Sequence, residues 1–407
     1  MNKVLRNLFI FILVIVFIMA FSSSYLSLSM DNLAYVLAIG IEKTDNNKMK
    51  VSFQFSTATP PSESGSTKKT PTVINSVTAS SLSSAINLMN SYLGKELNSS
   101  HCKVIIFSEE FAYEGIVDEI YTLINDVQIR PSCNIIVSKC SPKYYISKTV
   151  PELENLISKY YEIFTNSSKY TGFMPDATIG TFFNNLNCKT CEPYAILGGL
   201  NSEAVNSDSI IDSQKDYDVK SNESPIQGEN KSENIGVAVF KGGSLVGELN
   251  AIETIAFLNM RNSLNRFLVS VPDPHNSNYY IDIYLTPEHS TDIKVDTSNG
   301  SPYIQINMKF SGRIYSMSEN SEYLDPEVLS SISNSCNSYL ESVFLDYLYK
   351  TSKDFKSDIN GFGKFALRNF VTNSQFEDYN WLESYKDAFF HIDIDTSVES
   401  SMLITET

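Results

Sequence analysis

The residues most able to do chemistry are three carboxylates in "SEEFAYEG", namely Glu109, Glu110 and Glu114. Carboxylates so close together could serve acid–base catalysis or hold a hard cation. Glu110 and Glu114 stand four apart, which places both on one face of a helix. A helix N-terminus also attracts acidic side chains through its dipole alone, so capping and solvation explain the cluster without any ligand. Paired carboxylates that cleave a glycoside must flank one bond in space, and their order in the chain does not bring that about. Arg130, just before Pro131 at the exit of the following helix, can close that loop or pair with an acid.

"CKTC" at Cys188–Cys191 has the spacing of a redox pair or half a zinc site. A redox centre wants such a pair where a strand feeds a helix. Here it lies between "FFNNLN" and "EPYAI", read as loop, and His101, His275, His289 and His391 are far away in sequence. The pair is therefore expected to be loop cysteines or a local disulfide. "VFKGGSLVGELNAIE" could be a phosphate cradle, but Lys241 precedes its glycine pair instead of entering a helix. The pattern predicts a hairpin turning at Gly242–Gly243, with Gly247 in its second strand or at a bulge. A separate helix then begins at Asn250, with Glu253 in the capping-box position. No catalytic residue, cofactor-binding residue or metal ligand is expected.

In "DINGFGKFALRNF", Gly361 and Gly363 flank Phe362, which permits a close turn with the ring buried, and Asp358 is placed to cap it. Trp381, the one tryptophan, shares a predicted helical face with Leu382, Tyr385 and Phe389, so core packing is expected.

The elements that must position these residues come from a 407-residue chain of two or three domains. Acidic residues outnumber basic ones 47 to 31, and the net charge of -16 argues against nucleic acid and anionic lipid surfaces. Lys3 and Arg6 precede an uninterrupted apolar run, Leu8 to Phe21, followed by serines. Residues 1–30 therefore read as an export signal or a retained membrane anchor, with the rest of the chain outside the cytoplasm. Residues 31–200 read as a mixed α/β domain, with a hairpin opening at "AYVLAIGIEK" and a helix over "SVTASSLSSAINLMNSYLGKEL". Residues 201–233 are polar and acidic, a flexible linker. Residues 234–275 carry the hairpin and helix of a middle domain. Residues 276–407 form a C-terminal α+β domain with a long helix from about Pro326 to Thr351 and a terminal strand.

Four blocks in order resemble the Ger(x)C family, the C subunits of nutrient receptors for spore germination. They are "LAYVLAIGIEKTDNNKMKVSFQF", "HCKVIIFSEEFAYEGIVDEIYTLINDVQIRPSCNIIVSK", "GVAVFKGGSLVGELNAIETIAFLN" and "DINGFGKFALRNF" with its tryptophan-bearing tail. The family's lipidated cysteine at the end of the export signal has no counterpart, since no cysteine precedes Cys102. An uncleaved apolar helix would then supply the anchor.

The resemblance implies a fold of class α+β: a multidomain mixed α/β extracytoplasmic region after an N-terminal hydrophobic helix. It implies a non-catalytic subunit in the spore inner membrane, assembling with two membrane partners to trigger germination. One partner has a large polar domain and the other is transporter-like, with the small nutrient bound by the complex. Glu110, Glu114, Arg130, Asp358, Gly361, Gly363 and Trp381 are then candidates for partner contact or for the fold's own motifs. The alternative is a membrane-tethered protein that itself binds a small nutrient.

Overall fold

The computed structural model describes residues 3–22, 32–44, 48–56, 72–201, 218–274, 279–317 and 325–399. Among these described residues the first sheet has nine strands. They are β1 (Leu33–Thr44), β2 (Lys48–Ser56), β3 (Thr72–Ala79), β4 (Glu96–Asn98), β5 (Val104–Ser108), β6 (Asn134–Ser138), β7 (Tyr194–Leu200), β8 (Ser232–Lys241) and β9 (Ser244–Leu249). Their order is β3-β2-β1-β5-β6-β7-β8-β9, with β4 beside the start of β1. β1, β5, β6 and β7 run parallel at its centre. Every residue of β5, β6 and β7 is buried, as apolar runs covered on both faces must be. Antiparallel hairpins extend both ends.

The second sheet contains β10 (Phe267–Pro272), β11 (Tyr280–Pro287), β12 (Asp292–Asp296), β13 (Tyr303–Met317) and β14 (Phe389–Glu399). β14 is the parallel neighbour of β13, and the other pairings are antiparallel. Strict alternation along β14 buries Phe390, Ile392, Ile394, Thr396 and Val398. That face is covered by the helix Pro326–Tyr349, whose Ile332, Cys336, Leu340, Phe344 and Leu348 recur every fourth residue. The helix continues as one π-turn, Lys350–Asp354.

Between the sheets lies the helix Ala251–Met260, buried on every side except at Glu253. It packs on β8 of the first sheet and on the helix Pro326–Tyr349 of the second. A helix apolar all round belongs in such a position. The two cores consequently merge into one.

Three expectations change here. The hairpin assigned to a middle domain supplies β8 and β9 to the first sheet, because β7 and β8 pair across the acidic stretch. Of that stretch, residues 202–217 lie outside the described residues. Part of the segment read as one helix is strand: β3 pairs with β2, and the helix begins at Leu82 after the cap Ser81. Phe389 leaves the helical face expected of it, since it opens β14 and points outward.

The N-terminal run forms a helix, Lys3–Ser22. Its described apolar side chains, Phe9 to Phe17, are exposed. The 20-residue helix is about 30 Å long at about 1.5 Å per residue. Its uninterrupted apolar run, Leu8 to Phe21, covers about 21 Å of that, against roughly 30 Å of bilayer hydrocarbon. Among the described residues, no helix is long and apolar enough to cross a membrane. Residues 23–30, which the expected span also used, lie outside the described residues.

Candidate functional site

A dense polar construction in the interior surrounds Asp358. The turn Asp358–Gly363 follows the π-turn, with Gly361 in the left-handed region at φ +75°. Asp358 Oδ1 accepts from the N–H groups of Gly361 (2.8 Å) and Phe362 (3.1 Å). Its Oδ2 accepts from Gly363 N–H (3.0 Å) and Trp381 Nε1–H (2.8 Å). Burial holds the Asp358 carboxyl above its ordinary value, and these four donors offset only part of that rise. Gly363 is needed for closeness: a Cβ there would stand 2.6 Å from the Trp381 ring and 2.7 Å from the carbonyl oxygen of Thr190.

The same segment ties the two sheets together. Glu192 N–H donates to Asp358 O (2.9 Å), and the Glu192 carboxylate accepts from Gly242 N–H (2.7 Å) at the hairpin turn. Ser357 Oγ donates to Phe240 O on β8 (2.5 Å). Arg261 donates to Ile359 O (3.0 Å) while its guanidinium lies over the Tyr194 ring (5.0 Å) on β7. Tyr347 OH donates to Asn360 Oδ1 (3.0 Å), completing a clasp in which β7, β8, the long helix and the tryptophan segment meet. Burial raises Glu192 to about 7, with Gly242 N–H and Lys241 opposing it.

Comparison with known proteins follows this architecture along the chain. The spore germination protein N-terminal domain matches residues 27–197. The spore germination B3/GerAC-like C-terminal domain matches residues 235–402. This chain belongs to the Ger(x)C family. The crystal structure of the GerBC protein has the same fold, with a TM-score of 0.52 at 16% identity, covering 88% of this chain and 96% of that one. No curated protein matches.

In this Ger(x)C chain the seven residues singled out in the sequence divide into two groups. Asp358, Gly361, Gly363 and Trp381 converge in the clasp. Glu110, Glu114 and Arg130 lie elsewhere. Glu110 is exposed in the helix Glu109–Glu114, whose N-cap Ser108 accepts from Phe111 N–H (3.3 Å). Glu114 pairs with Lys43 beside a cleft of about 510 Å³, which Lys48, Asp118 and Glu119 also line. Arg130 is exposed, and its carbonyl accepts from Cys133 N–H (2.9 Å) to close the loop into β6. Asn250 and Glu253 cap the central helix reciprocally, at 2.9 and 2.8 Å.

Sequence reasoning missed two polar constellations. Glu253 also accepts both 2.7 and 2.8 Å bonds from Lys350, ninety-seven residues away, joining the central helix to the long one. Glu248 Oε2 accepts from Lys139 and Lys220, each at 2.8 Å. Burial opposes ionisation of Glu248, but the two ammonium groups outweigh it and hold its carboxyl below the usual range. Glu109, not Glu110, faces this cluster, and burial together with its bond to Glu248 raises its carboxyl. The useful signal was the position of Glu109 and Lys139 at the ends of two apolar strands. The partners arrive from β9 and a loop, which no spacing rule reaches.

Proposed function

We propose that the chain is the non-catalytic C subunit of a nutrient germinant receptor in the spore inner membrane. In this reading it assembles with two membrane subunits, one carrying a large polar domain and one transporter-like, and the assembly triggers germination. The observation that carries it is the succession of two spore-germination domain matches across residues 27–197 and 235–402. The clasp supports it physically: the strongest polar residues of the family-like "DINGFG" block are committed to joining the two sheets. Affinity isolation from solubilised spore membranes tests the assembly.

The N-terminal helix is the anchor in this account, with the bulk of the chain extracytoplasmic. No cysteine precedes Cys102 to carry a lipid, so attachment is through peptide. Intact-mass measurement of native protein checks it: a mass matching residues 1–407 agrees, and cleavage between Ala20 and Met30 contradicts. Replacing Leu13 and Val16 with Asp places charges in the apolar run, each costing roughly 2.5–3.5 kcal/mol on insertion. Export fails or the protein leaves the membrane, while the folded region is unchanged.

A second reading, a tethered nutrient-binding protein, draws on one cleft of about 700 Å³ lined by Tyr160, Phe164, Tyr170, Met174 and Ile226. Glu233 also lines it and keeps a buried Oε2 without a hydrogen-bond partner. Walls that mix these apolar side chains with polar ones such as Glu152, Asn166 and Asn230 suit a small ligand with an apolar body and polar groups, one of them an N–H or O–H donor for Glu233. Calorimetric titration of the isolated chain with amino acids, sugars and nucleosides discriminates: saturable binding without partners favours this reading.

A further inference from the structure

The receptor assembly proposed above makes no use of Cys188 and Cys191. They lie in the loop between the helix Ile179–Leu186 and β7, against the clasp. Cys188 is half-buried and lines a cleft of about 400 Å³ with Lys189, Phe376, Glu377, Asn380 and Trp381. Its sulfur accepts from Thr190 N–H (3.4 Å) and lies 3.1 Å from the Thr190 hydroxyl. Cys191, three residues on, is buried and donates to Asn185 Oδ1 (3.5 Å). Lys364 Nζ and Cys191 Cβ flank one point beside Gly361, at 3.6 and 3.4 Å from it.

These surroundings make the two thiols unequal. Burial resists ionisation of Cys188, but the neighbouring Cys191 thiol, the Thr190 hydroxyl and N–H and the Lys364 charge outweigh that and hold it below the usual thiol range. Burial and the neighbouring Cys188 sulfur push Cys191 upward. An accessible, more acidic thiol beside a buried one matches an attacking and a resolving cysteine. The remaining cysteines lack this setting. Cys102 and Cys133 are both buried, sulfurs 3.8 Å apart, and burial raises Cys140 and Cys336.

We propose that Cys188 is a thiol-modification site for small-molecule disulfides, with Cys191 as its resolving thiol. The Cys188 thiolate attacks one sulfur of the disulfide R–S–S–R, forming Cys188–S–S–R and releasing R–S⁻. Cys191 then passes its proton to the released R–S⁻, attacks the Cys188 sulfur and expels the second R–S⁻, which takes a proton from water. The two cysteines are oxidised by two electrons to a disulfide, and R–S–S–R is reduced to two thiols. Closing the bond draws the sulfurs to about 2.05 Å. The loop that moves holds the Thr190 carbonyl against Gly363 and the Glu192 N–H on Asp358. Trp381 lines the same cleft and is the chain's only tryptophan, so its fluorescence reads the event directly.

The test treats the full-length chain with oxidised glutathione and follows peptide mapping together with Trp381 emission. The expected result is loss of the free thiols at 188 and 191, a disulfide between them, and a parallel emission change. Cys191→Ser should trap the glutathione adduct on Cys188, and Cys188→Ser should form no adduct in this loop. A free peptide spanning residues 185–193 provides the reference rate. First adduct formation at Cys140, or thiols at 188 and 191 that stay reduced while the peptide oxidises, overturns the proposal. So does a disulfide that forms without any change in Trp381 emission.

Discussion

Trp381 donates its indole N–H to Asp358 Oδ2 at 2.8 Å, and both residues are almost wholly buried. The bond closes a carboxylate that already receives three backbone N–H groups of its own turn. Asp358→Ala leaves four buried donors without an acceptor, and each such loss costs about 1–3 kcal/mol. Denaturant unfolding followed by circular dichroism should give a loss of at least ~3 kcal/mol, or no folded protein. Trp381→Phe removes one donor together with its bond and should cost clearly less. Equal losses in the two variants would contradict this account of the clasp.

Gly363 and Gly361 should fail for different reasons. An added Cβ at 363 meets the Trp381 ring and a backbone carbonyl, neither of which can yield cheaply. Gly363→Ala should cost about 3 kcal/mol, the upper end of overpacking, and rank above Gly361→Ala and Gly94→Ala. Gly361→Ala incurs only the left-handed backbone cost of roughly 1–2 kcal/mol, as does Gly94→Ala, where φ is +63° and nothing lies within 4 Å. Thermal melts of the three single variants measure the ordering. Gly363→Ala ranking with the unhindered Gly94→Ala would show that the Trp381 approach is relaxed in solution.

Glu253 has two separable duties. Glu253→Gln retains an oxygen for the Asn250 N–H and loses the ion pair with Lys350, so a loss of about 1 kcal/mol is expected. Glu253→Ala loses both and should cost about twice as much. Urea titrations of the two variants and of Lys350→Met give the comparison. Matching losses for Gln and Ala would assign everything to the ion pair.

Glu192 gives a pH dependence with a definite sign. Its folded pKa of about 7 lies above the ordinary 4.5, so the folded chain binds more protons than the unfolded chain between those values. Stability from this group is therefore fully present below pH 4.5 and is lost as pH rises through 7. The full effect is at most about 3 kcal/mol. Glu192→Gln should flatten the slope in that window, as read from unfolding midpoints at several pH values. Glu233, also raised to about 7 by burial, supplies a second slope that the variant leaves in place.

Local chemistry was legible in the sequence wherever neighbours in the chain were also neighbours in space. The Gly242–Gly243 hairpin, the Asn250–Glu253 capping box and the Asp358 turn all close within five residues. The helix Pro326–Tyr349 was plain from its four-residue apolar recurrence. β3 was not, because "TVINSVTA" adjoins a helical pattern and its strand character comes from pairing with β2. β7 was hidden too: "YAILGGL" is short and glycine-bearing, and it acquires its place between β6 and β8 from the whole sheet. Trp381 was expected in the core, but its bond to a residue twenty-three positions earlier was beyond any periodicity.

The subunit reading is tested most directly by affinity isolation of the intact, tagged chain from detergent-solubilised spore membranes, followed by mass spectrometry. The account predicts co-recovery of two membrane proteins in constant ratio to the chain, one with a large polar domain and one transporter-like. Recovery of the chain alone, or in the soluble fraction with neither protein, would contradict it.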